Sequence, residues 1–133
     1  MSIFGGGKKD DRPIDVGLAA LSGKSEAELI EWWKQRLTLI TQIPNETARV
    51  GALTPQLREL SRISSEEERR KLTRARIIAF AQLPAESRQA LGEARTRAWD
   101  VDRGVLEADQ KVVDQLLPTM DQNIRAAYPA PKQ

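Results

Sequence analysis

The sequence predicts an all-α protein, a compact orthogonal bundle of six or seven helices built from helix-turn-helix units. Three observations carry this. Residues 25–47 align without a gap on residues 65–87 at a constant offset of 40, with identities at Ser25/Ser65, Glu26/Glu66, Glu28/Glu68, Arg36/Arg76, Gln42/Gln82, Pro44/Pro84 and Glu46/Glu86. A repeat of this length is the signature of stacked helical units, each burying an apolar face on its neighbour. Helix caps and prolines recur at helix-length intervals, and no stretch shows the period-2 alternation of a strand. Serine caps, first-turn acids and Leu-Pro corners are also general helix punctuation, so an internal 40-residue repeat and convergence both fit the self-similarity, and a closed bundle is favoured over an open superhelix.

Residues 1–24 read as an N-terminal arm. Gly5-Gly6-Gly7, the mixed charges of 8–12 and Pro13 predict a flexible start, while Ile14, Val16, Leu18 and Leu21 predict a second half that docks on the body or folds against a partner. Residues 25–128 form one helical domain, and 129–133, with Pro129 and Pro131, form a disordered tail.

Within the domain, Ser25 and Glu28 form a capping box that starts a helix running to about Gln42. Pro44 disfavours helix at Ile43 and suits the first position of the next helix, with Glu46 in its first turn. Gly51 and Thr54-Pro55 predict an interruption, followed by a short third helix on Leu57, Leu60 and Ile63. Ser64 and Ser65 cap the next helix, which ends near Gln82 before a second corner at Pro84. The following helix, to about Asp100, carries the stripe Leu91, Ala94, Ala98 and Val101, whose alanines imply close helix approach. Asp102 caps a helix bearing Val105, Leu106, Val112, Val113 and Leu116, which stops at Leu117-Pro118. A last helix with Met120 and Ile124 frays by Tyr128.

Composition narrows the chemistry. The chain of 133 residues has no cysteine and no histidine. Thiolate nucleophiles, Ser-His and Cys-His pairs and the usual zinc ligands are therefore missing, and no side chain has an unperturbed pKa near neutrality. The expectation is a non-enzymatic protein without cofactor or metal. No uncharged run approaches the ~20 apolar residues that span a bilayer, and residues 1–9 lack the apolar core of a secretory signal. A cytoplasmic location is the default. Net charge is +2, and the basic excess lies in residues 58–97, well short of the dense footprint of a dedicated nucleic-acid binder.

Two sets of residues stand out. Ile30, Trp33 and Leu37 are an apolar strip with no full match in the second copy, where Arg70, Thr73 and Ile77 stand. Trp32, Ile40 and Ile43 match Leu72, Phe80 and Leu83 and read as core. The unmatched strip is either covered by the arm or the last helix, or forms a partner-binding ridge anchored by Trp33. The function expected on this basis is a protein-binding module: an adaptor, assembly factor or accessory subunit of a larger complex. The alternative is a nucleic-acid-associated regulator that binds phosphate backbones through Arg69, Arg70, Arg74 and Arg76, the densest basic cluster. Those arginines do not share one helix face, no aromatic platform lies among them, and dipole and i,i+4 effects account for them as a solvated face. Gly5-Gly6-Gly7-Lys8 lacks the spacing of a phosphate loop. Asp100, Asp102, Glu107 and Asp109 lack the turn glycine and terminal Glu of a calcium loop.

Overall fold

The computed structural model describes residues 18–21 and 23–129. Within them lie six α-helices: α1 (Glu26–Thr41), α2 (Glu46–Ser61), α3 (Glu66–Ala81), α4 (Ala85–Val101), α5 (Arg103–Leu116) and α6 (Gln122–Ala127). Short 3-10 turns cover Leu18–Leu21 and Leu117–Thr119, and the described residues contain no strand. The all-α bundle is the architecture.

Caps decide where helices begin. Ser25 accepts from the Glu28 N–H at 3.2 Å while Glu28 accepts from the Ser25 N–H at 2.9 Å, a complete capping box. Asn45, Ser65 and Asp102 accept in the same way from Ala48, Glu68 and Val105. Asn45 therefore caps α2, and Pro44 stands outside the helix rather than at its first position. The expected break within α2 is absent: one helix runs through Pro55. A proline strains the carbonyl four residues back and leaves it without a donor. That residue is Gly51, exposed like Pro55, so water reaches its carbonyl. Thr54 does not cap a new helix either, and its hydroxyl instead donates back to Val50 O at 2.7 Å.

α1, α2 and α3 are each 16 residues long and start at residues 26, 46 and 66. The 40-residue offset thus spans two helix-plus-corner steps of 20. Four of the five connections between consecutive α-helices are sealed in the same manner, the exception being the α4–α5 turn at Asp102. Arg49 donates to Ile43 O at 2.7 Å, Arg69 to Ile63 O, Arg88 to Leu83 O at 2.7 Å and Arg125 to Met120 O at 3.1 Å. A long side chain from the incoming helix satisfies a carbonyl that the outgoing helix cannot pair.

Alternate helices form the main packing: α1 lies on α3 and α2 on α4, with α5 closing against α2, α3 and α4, and α6 resting on α3. Ala75, Ala79, Ala94 and Ala98 are fully buried and permit these close crossings. Leu18 and Leu21 belong to the same core, and the Leu18 N–H donates to Glu59 on α2 at 2.9 Å. The body of the fold therefore starts before residue 25. The remainder of the expected arm, residues 1–17, and tail residues 130–133 lie outside the described residues. No described helix is long and apolar enough to cross a membrane.

The two tryptophans exchange the roles expected of them. Trp33 is 0% exposed and sits with Leu29, Leu37 and Ile40, at the centre of the inward stripe of α1. Trp32, one residue and about 100° away, is half-buried at the edge of the stripe, edge-to-face on Trp33 with ring centroids 5.0 Å apart. Ile43 is half-buried as well.

Replacing Trp33 with Ala should cost about 3–5 kcal/mol in urea unfolding, the range for a large aromatic removed from a packed core; retention of full stability would contradict its placement. Gly51→Ala should stabilise by about 0.5–1 kcal/mol in the same assay, because a Cβ there meets nothing within 4 Å.

Candidate functional site

The core contains a group of charges that apolar packing does not account for. Asp109, 5% exposed, lies between two arginines, Arg76 at 4% and Arg95 at 7%. Arg76 grips it with both ends of its fork, Nη1 to Oδ1 at 2.9 Å and Nη2 to Oδ2 at 2.8 Å, and Arg95 Nη1 reaches Oδ2 at 2.8 Å. Remaining donors are also used. Arg76 Nη2 donates to the Tyr128 hydroxyl at 3.0 Å, and Arg95 Nη2 to Gln110 Oε1 at 3.0 Å. Gln110 in turn donates to Asp114 at 2.9 Å. The Tyr128 ring packs against Phe80 at a tilt of 60°, with centroids 5.4 Å apart, and lies 5.6 Å from the Arg95 guanidinium. Three helices and the C-terminal segment thus meet at one carboxylate.

Burial alone would raise the Asp109 pKa, but the charges and hydrogen bonds of Arg76 and Arg95 outweigh it and hold the carboxyl below its ordinary value. Burial likewise opposes the charge on Arg76, and Asp109 and Tyr128 override it so that the guanidinium stays protonated more firmly than in water.

Asp109 also lines a half-open groove of about 340 Å³ between the C-terminal half of α2, the N-terminal half of α3 and α5. Leu57 and Leu60 from α2 and Val112 from α5 make it partly apolar, Arg69, Arg70 and Lys111 supply cations, and Glu66 and Asp109 supply acids. Arg70 is held by Glu66 at 3.2 Å and by Gln115 at 3.0 Å. Lys111 is exposed and forms no ion pair among the described residues. Thr73, 2% exposed, lines the wall. On the other side of Asp109, a cavity of about 30 Å³ lies under Tyr128 and Pro129, bordered by Arg76 and Arg95.

The residues singled out from sequence are redistributed. Trp33 and Leu37 are core and Ile30 is half-buried against it, so the strip is covered by the protein itself and offers no ridge. The four arginines do not form a basic face either. Arg69 is engaged by Ile63 O, Arg70 by Glu66, Arg74 by Glu26 at 2.8 Å, and Arg76 is buried on Asp109. Asp102 caps α5 and pairs with Arg58 at 3.0 Å, apart from Asp109 in both partners and burial. No group of three or more metal-ligating side chains comes together among the described residues.

From sequence, Asp109 is considered only as a cation ligand and Arg95 only as one of the basic residues of its helix, and Tyr128, Lys111 and Thr73 are not singled out. A signal existed for the first of them: Asp109 stands on the inward stripe of α5 with Leu106 and Val113, at spacings of three and four, where a charge requires a buried partner. Arg76 holds the corresponding place between Leu72 and Phe80 on α3. Comparison with family models, curated proteins and solved structures found no match to this chain.

Because the folded Asp109 pKa is depressed, its contribution is fully present above the unfolded carboxylate value of about 3.9 and is lost as pH falls through the folded value. Urea unfolding between pH 7 and pH 2 should show stability falling below pH ~4, and Asp109→Asn should flatten that fall. The variant should also lose about 3–5 kcal/mol at pH 7, because two buried guanidiniums then lack their counter-charge.

Proposed function

We propose that this protein is a non-enzymatic helical binding module, acting as an adaptor, assembly factor or accessory subunit, and that its docking surface is the groove between α2, α3 and α5. The single observation that carries the reading is that groove: about 340 Å³, apolar along Leu57, Leu60 and Val112, and rimmed by charge. Its size is at the lower end of ligand-holding clefts. Two of its walls, α3 and α5, are tied together by the Asp109 cluster, so docking requires little ordering of those helices. The absence of histidine and cysteine from the sequence supports binding over catalysis. Phosphate-backbone binding is less favoured, since Arg69 and Arg76 are taken up inside the fold and leave only Arg70 and Arg74 of the four, each in an exposed pair.

The experiment is affinity capture from a lysate of the source organism with three immobilised proteins: wild type, Ala108→Trp and Leu39→Ser. Ala108 is exposed and lines the groove, whereas Leu39 is exposed on α1. Captured partners should be lost with Ala108→Trp and kept with Leu39→Ser, at unchanged helical circular dichroism. Partners retained in full by Ala108→Trp would place the working surface elsewhere.

A further inference from the structure

We infer that the occupant of the groove is an acidic amphipathic segment of a partner protein, with aliphatic side chains against Ala108 and Val112 and carboxylates on Lys111 and Arg70. The inference rests on the docking reading above and adds the chemistry of what docks. Charge complementarity is the first argument. Lys111 is an exposed cation without an ion pair among the described residues, and Arg70, 47% exposed at its side chain, is held only by the exposed Glu66 and Gln115. Exchanging so exposed a pair for an incoming carboxylate costs little. Behind the groove, Arg76 and Arg95 outnumber Asp109, so the local field also favours an anion.

The wall geometry supplies the second argument. Glu66, Arg70 and Thr73 on α3, and Ala108, Lys111 or Val112, and Gln115 on α5, follow helical spacings of three and four. Two walls about 10 Å long, at 1.5 Å per residue, suit two turns of a docking helix, read as i, i+3/i+4, i+7 anchors.

Phosphate-bearing ligands fit less well. No aromatic side chain lines the groove to stack a base. Aliphatic residues along the floor call for aliphatic side chains in return.

The test is selection of displayed random peptides against the full-length protein, with Ala108→Trp as counter-selection. Enriched, groove-dependent peptides should combine Asp or Glu with Leu, Ile or Val. A synthetic peptide of that consensus should bind Lys111→Glu about tenfold more weakly, as expected when a contact charge is reversed, and replacing its acids with Lys should restore affinity for that variant. Unchanged thermal melting of Lys111→Glu keeps the comparison interpretable. Groove-dependent peptides without acids would overturn the inference and leave the docking reading standing. Failure to enrich any peptide that distinguishes wild type from Ala108→Trp would overturn both.

Discussion

One buried carboxylate shared by two guanidiniums fixes the relation of three helices. Asp109 on α5 can be desolvated only while Arg76 from α3 and Arg95 from α4 stay within hydrogen-bond reach, and each arginine is tolerable only while Asp109 stays. Apolar side chains tolerate small slips of one helix over another, whereas a bidentate Arg-carboxylate pair at 2.8–2.9 Å does not. Aliphatic burial drives the collapse of the bundle, and the charge cluster selects the register in which it collapses. Tyr128 extends that selection to the C-terminal segment, since its hydroxyl completes Arg76 and its ring covers Phe80.

The same position in the two self-similar segments shows how far local sequence and environment diverge. Arg36 and Arg76 are 40 residues apart and both are more than nine-tenths buried. Arg76 has an acid across the helix interface. Arg36 has no ionic partner among the described residues, its Nε is unsatisfied, and its guanidinium lies 4.2 Å from the Trp32 ring. Burial pulls its pKa down from the ordinary value. Stacking on the half-buried Trp32 compensates part of the lost hydration, which explains why Trp32 stands at the edge of the core and Trp33 at its centre.

Much of the fold could be read locally, because caps and prolines act within a turn. Ser25, Ser65 and Asp102 mark helix starts through hydrogen bonds three residues long. The misreadings came where a residue's effect depends on what faces it. Gly51 and Pro55 look like two breaks, yet they fall four residues apart, so the carbonyl that Pro55 leaves unpaired belongs to exposed Gly51 and meets water. Trp33 looked like a ridge because the 40-residue comparison set it against Thr73, and only the packing of α1 on α3 shows that its neighbours include Leu29 and Ile40. The arginines could not be sorted by counting charge: Arg69 is taken by a corner carbonyl six residues back, and Arg76 by an acid 33 residues on. The groove was least legible of all, being a property of three helices at once. Only the charge on the inward stripe of α5 pointed toward it.

The central claim is that Arg76 and Asp109 act as a unit within the core, and a double-mutant cycle of Arg76→Met, Asp109→Leu and the pair, followed by urea unfolding at pH 7, tests it most directly. Asp109→Leu strands two guanidiniums and should cost about 3–5 kcal/mol, Arg76→Met leaves Asp109 with Arg95 alone and should cost less, and the double variant should fall below their sum by a coupling energy of about 2–3 kcal/mol, with Arg95 unpaired in both Asp109 variants. Costs that simply add would show that the two side chains are solvated independently, and the account of the fold built on their pairing would fail.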